Sequence, residues 1–167
     1  MLDSIKFRPA SAADSSFLAD MLFEAGAVSE KVREMGREKA RSLPAMILFL
    51  ENFGRAGDFG FVAESADNLL LGAVWARLFS AEKKGYGFVS AEIPELAIAV
   101  APEFRGRGIG TKLLESLISE APKLKYPALS LSVYRRNPAL KLYERLGFRD
   151  ALVSKETNSS VTMILRF

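Results

Sequence analysis

The stretch Val100-Ala101-Pro102-Glu103-Phe104-Arg105-Gly106-Arg107-Gly108-Ile109-Gly110-Thr111 constrains this chain more than any other. An extended apolar segment, Glu95 to Val100, meets Pro102, passes three alternate glycines and opens onto a helical pattern. That pattern puts Ile109, Leu113, Leu114, Leu117 and Ile118 on one face. A strand-to-helix junction of this kind points several backbone N–H groups at one spot, where the helix dipole favours an anion. Glycine there lets a phosphate come close to the main chain. A merely structural turn with solvated arginines would not explain the alternate spacing, so the junction reads as a phosphate cradle. Two better-known loops fail on spelling. Gly110-Thr111-Lys112 lacks the Gly-Lys-Ser/Thr order of a P-loop, and Thr111 stands where a dinucleotide fingerprint needs a third Gly or Ala.

The 167 residues include neither Cys nor His. Thiol nucleophiles, disulfides, Cys or His metal sites and imidazole acid–base schemes are thereby excluded. Carboxylates, hydroxyls, Lys and backbone groups remain to do chemistry, and no metal site is expected. The 23 basic and 20 acidic residues leave a net charge of +3. Arg105, Arg107, Arg135 and Arg136 form no extended basic stripe, so a nucleic-acid partner is not expected. Apolar runs such as Ala45 to Leu50 fall far below the ~18 residues of a membrane span. The start of the chain, with Asp3, Lys6 and Arg8 close together, shows no signal-peptide core, and a cytoplasmic protein with no membrane partner is expected. No linker, repeat or low-complexity tract divides residues 1–167, which reads as one domain.

Periodicity supplies the rest of the outline. Ile5 to Arg8 alternates and stops at Pro9, a short strand. Asp14, or Ser11 before it, can cap a helix with Phe17, Leu18, Met21, Leu22 and Ala25 inward and Gly26 at its end. A polar stretch, Ser29 to Arg41, precedes a second helical pattern opened by Pro44, with Met46, Ile47, Leu50 and Phe53 on one side. Strands follow at Phe59 to Glu64 and Leu69 to Phe79, joined by a turn at Asp67-Asn68, and Gly85 to Ser90 is a short aromatic strand or a loop edge. In the segment Glu95 to Val100, Leu96, Ile98 and Val100 share one face, and Glu95, Ala97 and Ala99 share the other. The helix Gly110 to Glu120 ends at Pro122. A strand at Leu129 to Val133, a helix at Pro138 to Leu146 stopped by Gly147, and a last strand at Val161 to Phe167 complete an α/β (α+β) mixture.

The glycine junction resembles motif A of the GCN5-related N-acetyltransferases, the GNAT superfamily. Its pattern Arg/Gln-x-x-Gly-x-Gly/Ala is met by Arg105, Gly108 and Gly110. A second block in the expected order, Asn137-Pro138-Ala139-Leu140-Lys141-Leu142-Tyr143-Glu144-Arg145-Leu146-Gly147-Phe148, looks like motif B. The strand end at Arg8-Pro9-Ala10, followed by an Asp14-containing helix start, is similar to the family's N-terminus. The likeness covers nearly the whole chain and is weakest over residues 27–60. It implies a mixed, mostly antiparallel twisted sheet, flanked by helices, whose central parallel pair of strands splays into a V for acetyl-CoA. The anion becomes the pyrophosphate of coenzyme A, held by Arg105, Gly106, Arg107, Gly108, Ile109, Gly110 and Thr111, with Lys112 as a further source of positive charge. The pantetheine arm is implied to run along Ile98, Ala99 and Val100, where a main-chain N–H can also stabilise an oxyanion.

The resemblance further implies acyl-CoA-dependent N-acetyl transfer by direct attack of an amine, and no covalent nucleophile is evident in the motifs. A Tyr at the position of Tyr143 lies near the thioester sulfur in the family and can donate a proton to the leaving thiolate. Read from the chain alone, it is a core-facing aromatic with its hydroxyl at the surface. Asn137 is a helix cap, or a cap that also touches cofactor. Deprotonating an ammonium calls for a carboxylate here. Glu95 or Glu92 stands near the position some family members use, and the alternative for Glu95 is a solvent-facing charge beside a strand end. The acceptor, a small-molecule or peptide amine, would be shaped by residues 25–55 and 82–93, with Phe23, Trp75, Phe79, Tyr86 and Phe88 as candidate pocket aromatics. A non-catalytic acyl-CoA-binding module is the alternative function. A homodimer would cover exposed sheet edges such as Val161 to Phe167.

Overall fold

The computed structural model describes residues 4–153 and 159–167. Seven strands form one sheet in the order β1-β2-β3-β4-β5-β7-β6: β1 (Lys6–Pro9), β2 (Phe59–Glu64), β3 (Leu70–Arg77), β4 (Glu95–Val100), β5 (Ala128–Tyr134), β6 (Arg149–Asp150) and β7 (Ser160–Arg166). Every neighbouring pair is antiparallel except β4 and β5. That parallel pair has a single register partnership, Glu95 with Ser130, and Ser130 N–H donates to Pro94 O at 3.0 Å. Beyond it the two strands part. The mixed sheet with a splayed central parallel pair is therefore present as expected.

Helices lie on both faces. On one, α5 (Ile109–Lys123) presents Leu113, Leu114 and Leu117 to Val74, Ala76 and Leu96 of the sheet, with Leu129, Leu131 and Val133 completing the layer. On the other, α1 (Ser15–Gly26) and α4 (Pro44–Leu50) cover Val62, Ala73, Trp75, Ala97 and Ala99 with Leu18, Met21, Leu22, Met46 and Phe49. The alternation read in β4 is realised: Leu96, Ile98 and Val100 meet the first layer, Ala97 and Ala99 the second. The small residues on that second face leave room between β4 and α1. Between α1 and α4 run the short helices α2 (Glu30–Met35) and α3 (Arg37–Ala40), which resolve the polar stretch. Helix α6 (Ala139–Arg145) follows β5 and stops before Gly147 at φ +102°.

Several expectations are corrected. The stripe of α4 is Met46 and Phe49, continued by Phe53 in the turn beyond it, and Ile47 faces solvent; the helix ends at Leu50, so tertiary packing under β3 and not an extended helical period selects the inward residues. Of the two alternatives for residues 85–90, the structure takes the loop. Pro122 lies inside the last turn of α5, which runs on to Lys123, and Lys125 at φ +65° follows its end. The strand at the C-terminal end of the chain is no sheet edge, since β7 pairs with β5 along its length and with β6 at Met163 and Ile164. The two-residue β6 was not foreseen.

Two ion pairs anchor the helices to the sheet. Arg8 of β1 grips the Asp14 carboxylate with both terminal guanidinium nitrogens, at 2.8 and 3.0 Å, and Nε reaches Glu64 at 2.6 Å. The Arg8 contact holds the Asp14 carboxyl below its ordinary pKa. Asp14 also accepts the Ser11 N–H at 2.8 Å, so it serves the helix entry through the backbone of Ser11. At the far end of β3, Arg77 is fully buried and pairs bidentately with Asp58, itself buried, at 2.8 and 3.1 Å; its third nitrogen donates to Leu48 O of α4 at 2.9 Å. Asp58→Ala would strand that guanidinium, and a loss of about 3–5 kcal/mol in urea unfolding is expected, against a much smaller loss for removal of the exposed partner in Arg55→Ala.

Candidate active site

A cleft of about 1100 Å³ opens where β4 and β5 part. Its walls are β4, the 104–111 turn, residues 131–134 of β5, the start of α6, and, opposite, the C-terminal end of α1 with α2 and the start of α4. The edge of β4 facing this cleft has unpaired main chain for a geometric reason. Ala101 N–H donates to Leu71 O at 2.8 Å, and alternation along an antiparallel pair then assigns the main-chain groups of Ala99 and Ala97 to β3. Those of Leu96, Ile98 and Val100 point the other way, across the gap. Of the three residues expected beside the pantetheine arm, Ile98 and Val100 thus present backbone to the cleft and Ala99 presents its methyl group.

The glycine turn closes one end. Gly108 adopts φ +81° as the residue before α5, and Gly106 adopts φ +73°. A Cβ on Gly106 would meet nothing within 4 Å, so space lies open above the turn. The first helical hydrogen bond is donated by Lys112 N–H to Gly108 O, which leaves the N–H groups of Ile109, Gly110 and Thr111 ahead of it at the positive end of a 15-residue helix. The arrangement fits an anion with several oxygens. Arg105 lines the cleft but is not loose: Nε donates to Val100 O at 2.9 Å and Nη2 to Glu24 at 3.0 Å. Arg107 stands off the cleft wall, its guanidinium over the Phe104 ring and bonded to Glu103 O, and Lys112 pairs with Glu115.

At the opposite, narrow end stands Glu95. Its side chain is buried at 3% exposure, so the solvent-facing alternative is overturned. Oε1 accepts the Gly87 N–H at 2.8 Å. Gly85 and Gly87 press against this carboxylate and against β5: a Cβ on Gly87 would lie 2.5 Å from Leu131 C and 2.6 Å from Ser132 N, and one on Gly85 would lie 2.5 Å from Glu95 Oε2. Loop 85–88 therefore occupies the place beside β5 immediately past the last β4–β5 pair. Glu92 does not line the cleft, and Glu95 does.

Tyr143 reaches the cleft from α6, packed edge-on against Phe148 with ring centroids 6.0 Å apart. Burial pushes its hydroxyl well above the ordinary phenol pKa, so it holds its proton across the neutral range. Asn137 stands at the entry to α6, where its Oδ1 accepts the Ala139 N–H at 2.9 Å, and it lines the cleft. Of the candidate aromatics only Tyr86 lines the opening, at 79% exposure. Trp75 and Phe79 belong to the core under α4, with Trp75 Nε1 donating to Phe49 O at 3.0 Å; Phe88 packs on that same layer, and Phe23 carries Arg37 over its ring. Sequence reasoning missed Glu24, whose carboxylate joins Arg37 of α3 to Arg105 of the turn, and Ser132 on the far wall. Nothing local marks either residue, since each matters only through what the fold sets beside it. Among the described residues no cluster of acidic side chains could hold a metal, and no helix is long and apolar enough to cross a membrane.

The family model for the acetyltransferase (GNAT) family matches residues 27–148. The chain belongs to that family. Among relatives of known description, the [ribosomal protein bS18]-alanine N-acetyltransferase of Escherichia coli K12 is 42% identical over 59 residues, 35% of this chain and 40% of that protein, so the likeness spans about two fifths of the relative's length. Among solved structures, the PaiA N-acetyltransferase of Thermoplasma acidophilum in complex with coenzyme A has a TM-score of 0.69 at 19% identity, covering 98% of this chain and 99% of that one. A GNAT protein from Kribbella flavida has a TM-score of 0.67 at 24% identity over the whole of both chains. The GNAT architecture thus extends over all the described elements, including the α2–α4 region where the sequence likeness was weakest. Gly87→Ala is expected to force the loop off β5 and to lower stability by about 1–3 kcal/mol in a denaturant titration, the cost of inserting a methyl group against backbone.

Proposed function

We propose that this chain is an acetyl-CoA-dependent N-acetyltransferase that transfers acetyl to a primary amine of a small molecule or peptide by direct attack. The observation that carries the reading is the conjunction of an open helix N-terminus at Gly108 with the unpaired edge of β4, both on one cleft. Family membership supports it, as does the coenzyme A bound by the Thermoplasma protein of the same fold.

In this reading the N–H groups of Ile109, Gly110 and Thr111 hold the pyrophosphate, and Gly106 and Gly108 keep side-chain bulk out of its way. Arg105 and Arg107 add positive potential, Arg105 from the cleft wall and Arg107 from outside it. The cleft-facing main chain of Ile98 and Val100 pairs with the amides of the pantetheine arm, Ala99 leaves it room, and the Asn137 amide offers it one more donor. When bound, the coenzyme supplies an activated acetyl thioester. A backbone N–H of β4 aimed across the gap is placed to meet negative charge as it develops on the carbonyl oxygen. Glu95 takes the proton from the incoming amine, directly or through water, and its bond from Gly87 N–H keeps the carboxylate aimed. The chain has no Cys to carry the acetyl group, which favours one-step attack.

Tyr143 serves the departing sulfur. Its raised pKa makes complete proton transfer to a thiolate uphill, so hydrogen-bond donation to growing negative charge is its contribution. Calorimetric titration should show acetyl-CoA and CoA binding to the wild-type chain and no binding to Gly108→Glu, whose bulk and charge fill the cradle. Absence of wild-type binding would end the proposal. Tyr143→Phe should bind acetyl-CoA normally and lose about 10²–10⁴-fold in kcat, read by thiol release with a reactive amine. Binding without turnover across diverse amines would identify a sensing module instead.

A further inference from the structure

We infer that Tyr86 is a specificity-determining residue for the acceptor: its ring covers the part of the amine that lies beyond the reacting nitrogen. The inference rests on the acetyl-transfer reading and deepens it at the reacting end of the cleft.

In that reading the coenzyme enters at the glycine turn and its arm runs down β4 from Val100 to Ile98. The thioester therefore arrives toward the narrow end, where β4 and β5 still pair at Glu95 and Ser130. Loop 85–88 stands at that end, since Gly87 N–H donates to Glu95 at 2.8 Å. From this loop Tyr86 lines the cleft, 79% exposed. Exposure alone would mean little, because single apolar groups are common on protein surfaces.

Tyr86 differs from such groups in having a fixed main chain under a projecting ring. Thr162, 1% exposed in β7, donates its hydroxyl to Tyr86 O at 3.1 Å. On either side of Tyr86, Gly85 and Gly87 approach Glu95 and β5 so closely that a Cβ on either would come to 2.5 Å. A ring mounted on such a backbone has only its two side-chain torsions left to order when a ligand covers it, so contact costs little entropy. A second tyrosine stands nearby. Thr162 pairs with Ser132 and Ser160 with Tyr134, which sets Tyr134 on the same face of the sheet about 7 Å further along. Tyr134 also lines the cleft, opposite Val28, Val32 and Met35. An acceptor with a carbon skeleton longer than that of ethylamine lies against Tyr86 when its nitrogen meets the thioester, whereas a shorter one stops before the ring.

The test compares kcat/KM for ethylamine, isopentylamine, 2-phenylethylamine, spermidine and a tripeptide beginning with Ala, with acetyl-CoA as donor. At least one of the four longer acceptors is expected to exceed ethylamine by about tenfold. In Tyr86→Ala that ratio should fall severalfold through a higher amine KM, with the acetyl-CoA KM and the melting temperature unchanged. Tyr86→Phe keeps the ring and should restore the ratio. An unchanged ratio in Tyr86→Ala overturns the inference. So does an equal loss for ethylamine, the mark of a displaced loop, and so does a raised acetyl-CoA KM, which would set the ring against the donor. A wild-type preference for ethylamine overturns it as well. Each of those results leaves acetyl transfer standing. If all five amines fail as acceptors, or if CoA does not bind, the acetyl-transfer reading fails and takes the inference with it.

Discussion

The parting of β4 from β5 after the single partnership of Glu95 with Ser130 is the constraint on which the rest of the molecule depends. A parallel pair buried between two helical layers would ordinarily continue its ladder, since unpaired main chain away from water is costly. Here the ladder is interrupted at its root. Gly87 sits against Leu131 and Ser132 at the first step past that pair, and its N–H is held by Glu95, the residue that makes the pair. The strand edge beyond is left with donors and acceptors facing a cleft, and Arg105 satisfies one of them by donating to Val100 O. An edge of this kind is a ready-made binding surface for an extended polar chain.

The charged groups around the cleft work as ties between elements. Arg77 and Asp58 join β3, the 54–58 turn and α4 in a place with no access to water, so the pair specifies where α4 lies at the risk of a large penalty if either partner is lost. Glu24 does a comparable job at the mouth, where α1, α3 and the glycine turn meet. Its two arginines are more exposed, and the tie is correspondingly weaker and more sensitive to salt.

Legibility followed the range of the interaction. The glycine turn was readable because the strand, the proline, the positive-φ glycines and the amphipathic helix follow one another in a single continuous segment, residues 95–123. The facing of β4 was readable because a strand's two-residue period admits only two assignments. The inward face of α4 was not, since Ile47 and Phe49 are equally apolar and only the position of β3 decides between them. The aromatics misled for the same reason. Trp75 and Phe79 sit on a strand and its extension, where burial under α4 and exposure to a cleft give the same pattern, while Tyr86 stands at the opening because its loop is held by Glu95 and by Thr162, which donates to Tyr86 O at 3.1 Å.

By itself the sequence determined the α/β class, the family, the glycine turn ahead of a helix and the absence of thiol and imidazole chemistry, because each is a matter of residue type or of spacing along one continuous segment. Only the tertiary structure decided that Glu95 is buried and aimed into the cleft, that Ile98 and Val100 turn their main chain across it, and that Arg107 stands off it. It also set Glu24 between two arginines. Those outcomes depend on which strand pairs with which and where pairing stops, contacts between residues tens of positions apart, and no local period encodes them.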